Sequence, residues 1–332
     1  MARTRQHKSR RLVGLAIGVI GILAALLLLV NRQYVTDQVS VWQYQPSSDV
    51  VALAERSSMS GMGTFYFYAS HPQLQNAEQF NATCERKEEA TAILGCYNGQ
   101  YIYIYNISDA KLDGIREVTA AHEMLHAAYD RLSEQEKQKI GELIEAEFES
   151  LKEDEELAER LAFYERTEPG ERINELHSII GTEVAAISSE LEAYYAKYFD
   201  DRSQVVALYD QYADVFQSLQ ERSDQLSQRL TELGDAIEAE SAQYNKDVTQ
   251  FNRDVEAFNQ RAENGEFSSQ AEFDSARATL LARGDVLEAN RQQVNDKVAE
   301  YERLRAELIG IASQSEALNR SIDSSLAPAP SL

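Results

Sequence analysis

The chain of 332 residues is poor in residues that break or staple a backbone, with five prolines, two cysteines and a single tryptophan. Two cysteines are too few for an all-thiolate zinc cluster, which needs four. Cys84 and Cys96 are separated by eleven residues without a histidine nearby. That spacing fits a disulfide closing one loop better than a metal site, with two buried thiols as the other reading. No proline interrupts the heptad-patterned stretches after residue 200, so the backbone there is free to form long helices. Basic residues are also scarce, 32 against 55 acidic ones, for a formal net charge of −23. A surface that negative repels phosphate backbones, which excludes nucleic acid as a partner.

Long apolar runs are absent but for one. Residues 12–30 carry no charge, and at 1.5 Å per residue such a run is long enough to cross a hydrocarbon core of about 30 Å. Arg3, Arg5, Lys8, Arg10 and Arg11 precede it. Positive-inside bias then predicts a cytoplasmic basic segment over 1–11, a transmembrane helix over 12–30 and an extracytoplasmic remainder. No small-residue cleavage site follows the run, so the expectation is an uncleaved anchor rather than a signal peptide.

Histidine is scarce as well, five in all, yet two of them fall in His122-Glu123-Met124-Leu125-His126. On a helix, positions four apart share one face, where two imidazoles can grip one zinc ion. Glu123 is then next to the metal. A carboxylate there can take a proton from a zinc-bound water whose pKa the metal lowers to about 7. The flanks, Val118-Thr119-Ala120-Ala121 and Ala127-Ala128-Tyr129, lack charge, Pro and Gly. The segment therefore reads as a buried helix whose polar chemistry is the two histidines and one glutamate.

A catalytic zinc needs a third protein ligand and one open position. The run Arg172-Ile173-Asn174-Glu175-Leu176-His177-Ser178-Ile179-Ile180-Gly181-Thr182 resembles the second zinc helix of thermolysin-like metallopeptidases, which are gluzincins. In that family Asn-Glu is the signature of the helix, the Glu ligates zinc, and a hydrophobic pair and Gly-Thr follow. The resemblance implies one Zn2+ per chain held by His122, His126 and Glu175, Glu123 as catalytic base, and a peptide or protein substrate. It covers two short helices and not the rest of the chain. Ile179 stands where the family has an Asp that orients a zinc histidine. Asp130, one turn past His126, is a replacement orienter or an exposed helix-end carboxylate.

Glu183 and His177 remain alternative third ligands, while Tyr129 and Leu132 occupy positions where a metzincin would need Gly and His. A tetrahedral intermediate needs donors besides the metal, and His177, Tyr194 and Tyr195 are the neutral donors nearest in sequence, or else packing residues. The 48 residues between His126 and Glu175 read as helices over 134–152 and 154–166.

Elsewhere the chain divides by pattern. Residues 31–60 read as a juxtamembrane linker and 61–200 as the metallopeptidase domain. Within it, 64–68 reads as an aromatic strand, and 91–97 with 101–107 as a hairpin about Asn98-Gly99. The second hairpin strand is either a sheet edge that accepts an extended peptide or an interior strand. Heptad spacing over 201–323, broken at 263–269, predicts two helices folded back as an antiparallel coiled-coil hairpin, or an intermolecular coiled coil. The hairpin is a possible site for a protein partner. Residues 324–332 read as a disordered tail. The fold class is α+β and mostly helical. The expected function is a membrane-anchored zinc metallopeptidase; the alternative is a non-enzymatic envelope scaffold whose metal only staples the fold.

Overall fold

The computed structural model describes residues 21–23, 25–84, 93–151 and 170–325. Most of these residues are helical, with one small sheet. The chain divides into two units, one of residues 1–215 with 318–332 and the other of residues 216–317.

The first unit is built around α5 (Ile115–Asp130), whose Val118, Ala120, Ala121, Met124, Leu125, Ala127 and Ala128 are all buried. Small alanines on several faces let other elements approach it closely. These are α2 (Ser48–Arg56), α3 (Gly61–Ala69), the sheet, and α7 (Arg172–Glu183), while α1 (Arg32–Gln43) packs on α3. One close approach is at Gly181 on α7, where a Cβ would run into Leu125 Cδ1 and stand 2.7 Å from Tyr195 Cε1. Glycine there brings α7 flush against the helix that carries both histidines.

The sheet has the order β1-β3-β2, with β1 Gln73–Gln75, β2 Gly95–Tyr97 and β3 Ile102–Tyr105. β2 and β3 pair antiparallel, in the register Gly95 with Ile104 and Tyr97 with Ile102, as the hairpin expectation requires. The parallel partner β1 fills the other side of β3. β3 is therefore the interior strand, the second of the two alternatives left open for it, and β1 and β2 are the edges.

Three expectations are corrected. Residues 64–68 lie in α3, not in a strand: Ser60 caps the helix by accepting from Gly63 N. Aromatic side chains on every side of α3 then find partners. Phe67 is buried in the core, Phe65 stacks on Tyr34 at 5.7 Å, and Tyr66 lies under the Arg131 guanidinium at 5.2 Å. Packing on all sides thus overrides β propensity. Residues 31–60 are not a linker either. Val50, Leu53 and Ala54 of α2 are core residues, and Asp37 of α1 takes a two-pronged ion pair from Arg131 at 2.8 and 2.9 Å.

The single-pass membrane anchor with an outward-facing domain is the third. Among the described residues no helix is long and apolar enough to cross a membrane. The basic segment 1–11 and residues 12–20 and 24 of the apolar run lie outside the described residues. The described remainder, 21–23 and 25–30, covers about half of the ~30 Å a span requires.

α4 (Ala77–Thr83) follows β1, and Cys84 at its C-cap is joined by a disulfide to Cys96 in β2. After α5 come α6 (Glu134–Leu151), then α7 and the short α8 (Ser189–Tyr195). The expected helix over 154–166 lies outside the described residues. Ser324, expected in a disordered tail, is buried: its Oγ donates to Asn81 Oδ1 at 2.5 Å, and its carbonyl accepts from Asn81 Nδ2 at 3.0 Å. Residues 326–332 are not described.

The second unit is a pair of long helices, parts of α9 (Arg202–Glu263) and α10 (Gln270–Ile322). Leu226, Leu233 and Leu304 form its buried seam. Arg222 pairs with Glu307, Arg229 with Glu300, Lys297 with Glu240, Arg283 with Asp254, and Arg261 with Glu272. Partner numbers fall along α10 as they rise along α9, so the two helices run antiparallel. Phe258, Phe267 and Phe273 close the tip, with ring centroids 5.2 to 5.3 Å apart.

Candidate metal centre

His122 and His126 project from one face of α5, with rings edge-on at 4.8 Å between centroids. Their Nε2 atoms are 3.1 Å apart. Glu175, in the first turn of α7, brings Oε1 within 3.5 Å of His126 Nε2 and Oε2 within 3.7 Å of His122 Nε2. These three residues form a group whose ligand atoms all lie within 4.8 Å of one another, able to hold a metal ion. For zinc with Zn–N and Zn–O distances of about 2.0 to 2.2 Å, the edges of a tetrahedron come to about 3.3 to 3.5 Å. The donor set and its spacing fit that ion.

Proton positions support the fit. The Glu171 carboxylate can only accept, so the Asn174 amide nitrogen faces it at 3.0 Å. Asn174 Oδ1 is thereby turned to His126 Nδ1, also at 3.0 Å. The oxygen accepts the Nδ1 proton, and the Nε2 lone pair is left pointing at His122 and Glu175. This amide and tautomer assignment follows from the hydrogen-bond network. Asn174 thus holds the place that the sequence suggested for Asp130. Asp130 is instead an exposed carboxylate at the cleft wall, beside Tyr97. The signal for Asn174 was present in the Asn-Glu pair, but its partner could be identified only in three dimensions.

Burial pulls the His122 imidazole down. The hydrogen bond to Glu175 and the charges of Glu123, Glu175 and Glu183 outweigh this and raise its pKa. Its side chain keeps 16% of its surface exposed on the cleft side, against 10% for His126 and 7% for Glu175. The cleft holds about 370 Å³ and is lined by α5, α7 and the edge strand β2. Glu123 lies in it, directly beneath Gly95: a Cβ there would stand 2.6 Å from Glu123 Oε1 and 2.7 Å from Thr119 Cγ2.

The alternative ligands are placed differently. Glu183 ends α7 two turns past Glu175 and stands outside the metal group, although its charge reaches His122. His177 is fully buried, and its Nε2 is engaged by the Tyr194 hydroxyl at 2.9 Å. Burial, with the nearby His126 and His122, holds its pKa down at about 3. Tyr195 donates to the His177 carbonyl at 2.7 Å. None of His177, Tyr194 and Tyr195 lines the cleft. Of the two readings left open for them the packing one describes their surroundings: His177 is buried on α7, and Tyr194 and Tyr195 of α8 bond to it behind the helix that carries Glu175. Burial raises the pKa of both tyrosines, so both hydroxyls stay protonated.

Compared with known proteins, the chain matches no family model, no curated protein and no solved structure.

Proposed function

We propose that this chain is a zinc-dependent peptidase, with His122, His126 and Glu175 as metal ligands and Glu123 as general base. One observation carries the reading. Two imidazole Nε2 atoms and a carboxylate converge from facing helices, and a second carboxylate, Glu123, shares their cleft. A structural metal site has no use for that additional acid beside an accessible face.

When bound, zinc would supply Lewis acidity, bringing a water ligand near neutral pKa and polarising a carbonyl. Glu123 takes the proton of the attacking water and later delivers it to the leaving amine. Asn174 fixes the His126 tautomer, and Glu171 fixes Asn174. Gly95 leaves room for the Glu123 carboxylate under β2. The cleft-facing edge of β2 is placed to hold an extended peptide by main-chain hydrogen bonds, a mode common to sheet edges. The antiparallel helix pair is available to position substrate or recruit a protein partner.

The test is metal content by mass spectrometry on the purified full chain, beside Glu175→Ala and Glu183→Ala, followed by hydrolysis of a quenched-fluorescence peptide library. The expected result is one zinc per chain, lost in Glu175→Ala and kept in Glu183→Ala, with cleavage abolished in Glu123→Gln. A folded wild type without stoichiometric zinc would overturn the site. Zinc without any peptide cleavage would leave a structural metal and a scaffold role.

A further inference from the structure

The metal cleft is charged in one sense. Among the described residues that line it, Glu123, Asp130, Glu171 and Glu175 are acidic, and no lysine or arginine is present. The arginine next to Asp130 in sequence does not line the cleft, although its guanidinium comes within 3.5 Å of the Tyr97 hydroxyl. Arg131 clamps Asp37 and donates to the Ala127 carbonyl at 2.7 Å, with 8% of its side chain exposed. A divalent ion offset by Glu175 and Glu123 leaves the negative charges of Asp130 and Glu171 to meet whatever enters.

Asp130 is placed to read a substrate. It follows His122 and His126 on the same helical face and lies about 6 Å further along the axis than His126. An extended peptide advances about 3.3 Å per residue, so the Asp130 carboxylate stands about two residues from a bond held at the metal group. It lines the cleft together with Tyr97 of the β2 wall and is exposed there.

We infer that the cleft selects peptides carrying a lysine or arginine side chain within about two residues of the scissile bond, with Asp130 as the residue that discriminates. This rests on the peptidase reading above. A cation so placed is attracted by the exposed carboxylates of Asp130 and Glu171, and a carboxylate in the same position is repelled, both through solvent-screened interactions. Glu171 adds to the same field, but it also holds Asn174, so its removal would disturb the metal. Asp130 makes the cleaner probe.

The experiment uses the zinc-loaded full chain and peptides that differ only in Lys, Gln or Glu, substituted in turn at three positions on each side of the cleaved bond. The expected order of kcat/KM is Lys, then Gln, then Glu, with about tenfold or more between the extremes at one position. Asp130→Asn should bring that ratio close to one and Asp130→Lys should invert it, both with zinc content unchanged. Equal cleavage of Lys and Glu peptides by the wild type, or a ratio unaltered in Asp130→Asn, would overturn the inference while leaving the peptidase in place. No cleavage of any peptide by zinc-loaded protein would overturn the peptidase reading and this inference with it.

Discussion

Asn174 Oδ1 lies 3.0 Å from His126 Nδ1, and this contact determines which nitrogen of the imidazole faces the metal group. Replacing Asn174 with alanine frees the tautomer and the ring orientation. Zinc affinity, measured by competition with a chromogenic chelator, should fall by about 10- to 100-fold. Glu171→Gln should lose less, because the new amide can still accept from Asn174 through its oxygen.

Gly95 sets the position of Glu123 from above. In Gly95→Ala the new methyl would stand 2.6 Å from Glu123 Oε1, so strand or carboxylate must shift. Peptide turnover should fall by about 10² or more, the range attributed to a well-placed general base. Zinc content should not change, since no metal ligand is touched. Loss of zinc together with activity would show that the strand supports the ligands rather than the base.

The pH dependence has opposite signs with and without metal. The pKa of His122 is raised above 6.5 in the metal-free fold. In that form the group's contribution to stability is fully present below its unfolded value, about 6.5, and is lost as pH rises through the folded value. Zinc requires the neutral imidazole, so zinc affinity rises with pH and levels off above the raised value. Thermal melts across the neutral range should show zinc protection growing with pH, and protection independent of pH would contradict this.

Cys84 and Cys96 close a loop of sequence separation 12 that returns to the cleft strand next to Gly95. A crosslink over a loop of that length contributes roughly 3 kcal/mol in the chain-entropy model. Cys84→Ser should therefore lower the midpoint of the first unit by several degrees in calorimetry. A reducing dithiol should lower the wild type equally and leave the variant unmoved.

The helix pair should respond by itself. Leu233 is 3% exposed in a seam shared with Leu226 and Leu304. Leu233→Ala should cost about 2 to 5 kcal/mol of local stability. Hydrogen exchange should quicken over residues 216–317 while zinc content stays at the wild-type level.

What was legible in the sequence was periodic or local. The spacing of His122 and His126 needs only the pitch of a helix, and the turn at Asn98 and Gly99 needs only its flanking strands. The long helix pair followed from heptads and the lack of proline. Glu175 came from a resemblance confined to one short run, and α7 does bring it to the histidines. The aromatic run in α3 misled because its composition favours a strand, whereas its partners lie on all sides of a helix. α1 and α2 looked like linker because α1 buries only Asp37 and α2 only Val50, Leu53 and Ala54, and the Asp37–Arg131 and Arg56–Glu117 ties span long distances in sequence. Asn174 was visible as a residue but not as an orienter, because that role depends on Glu171 and His126 meeting at one amide.

The pairing of Asn81 with Ser324 has a consequence for how the protein comes into being. Partners 243 residues apart cannot meet until all the residues between them have been synthesised. At about 5 to 20 residues per second, the first unit waits roughly 10 to 50 s between the making of α4 and the arrival of this stitch. Closing so large a ring carries an entropic cost that grows only logarithmically with length. A long helical excursion is thus a tolerable detour. A nascent chain halted within α10 would carry α4 without the Ser324 partner of Asn81.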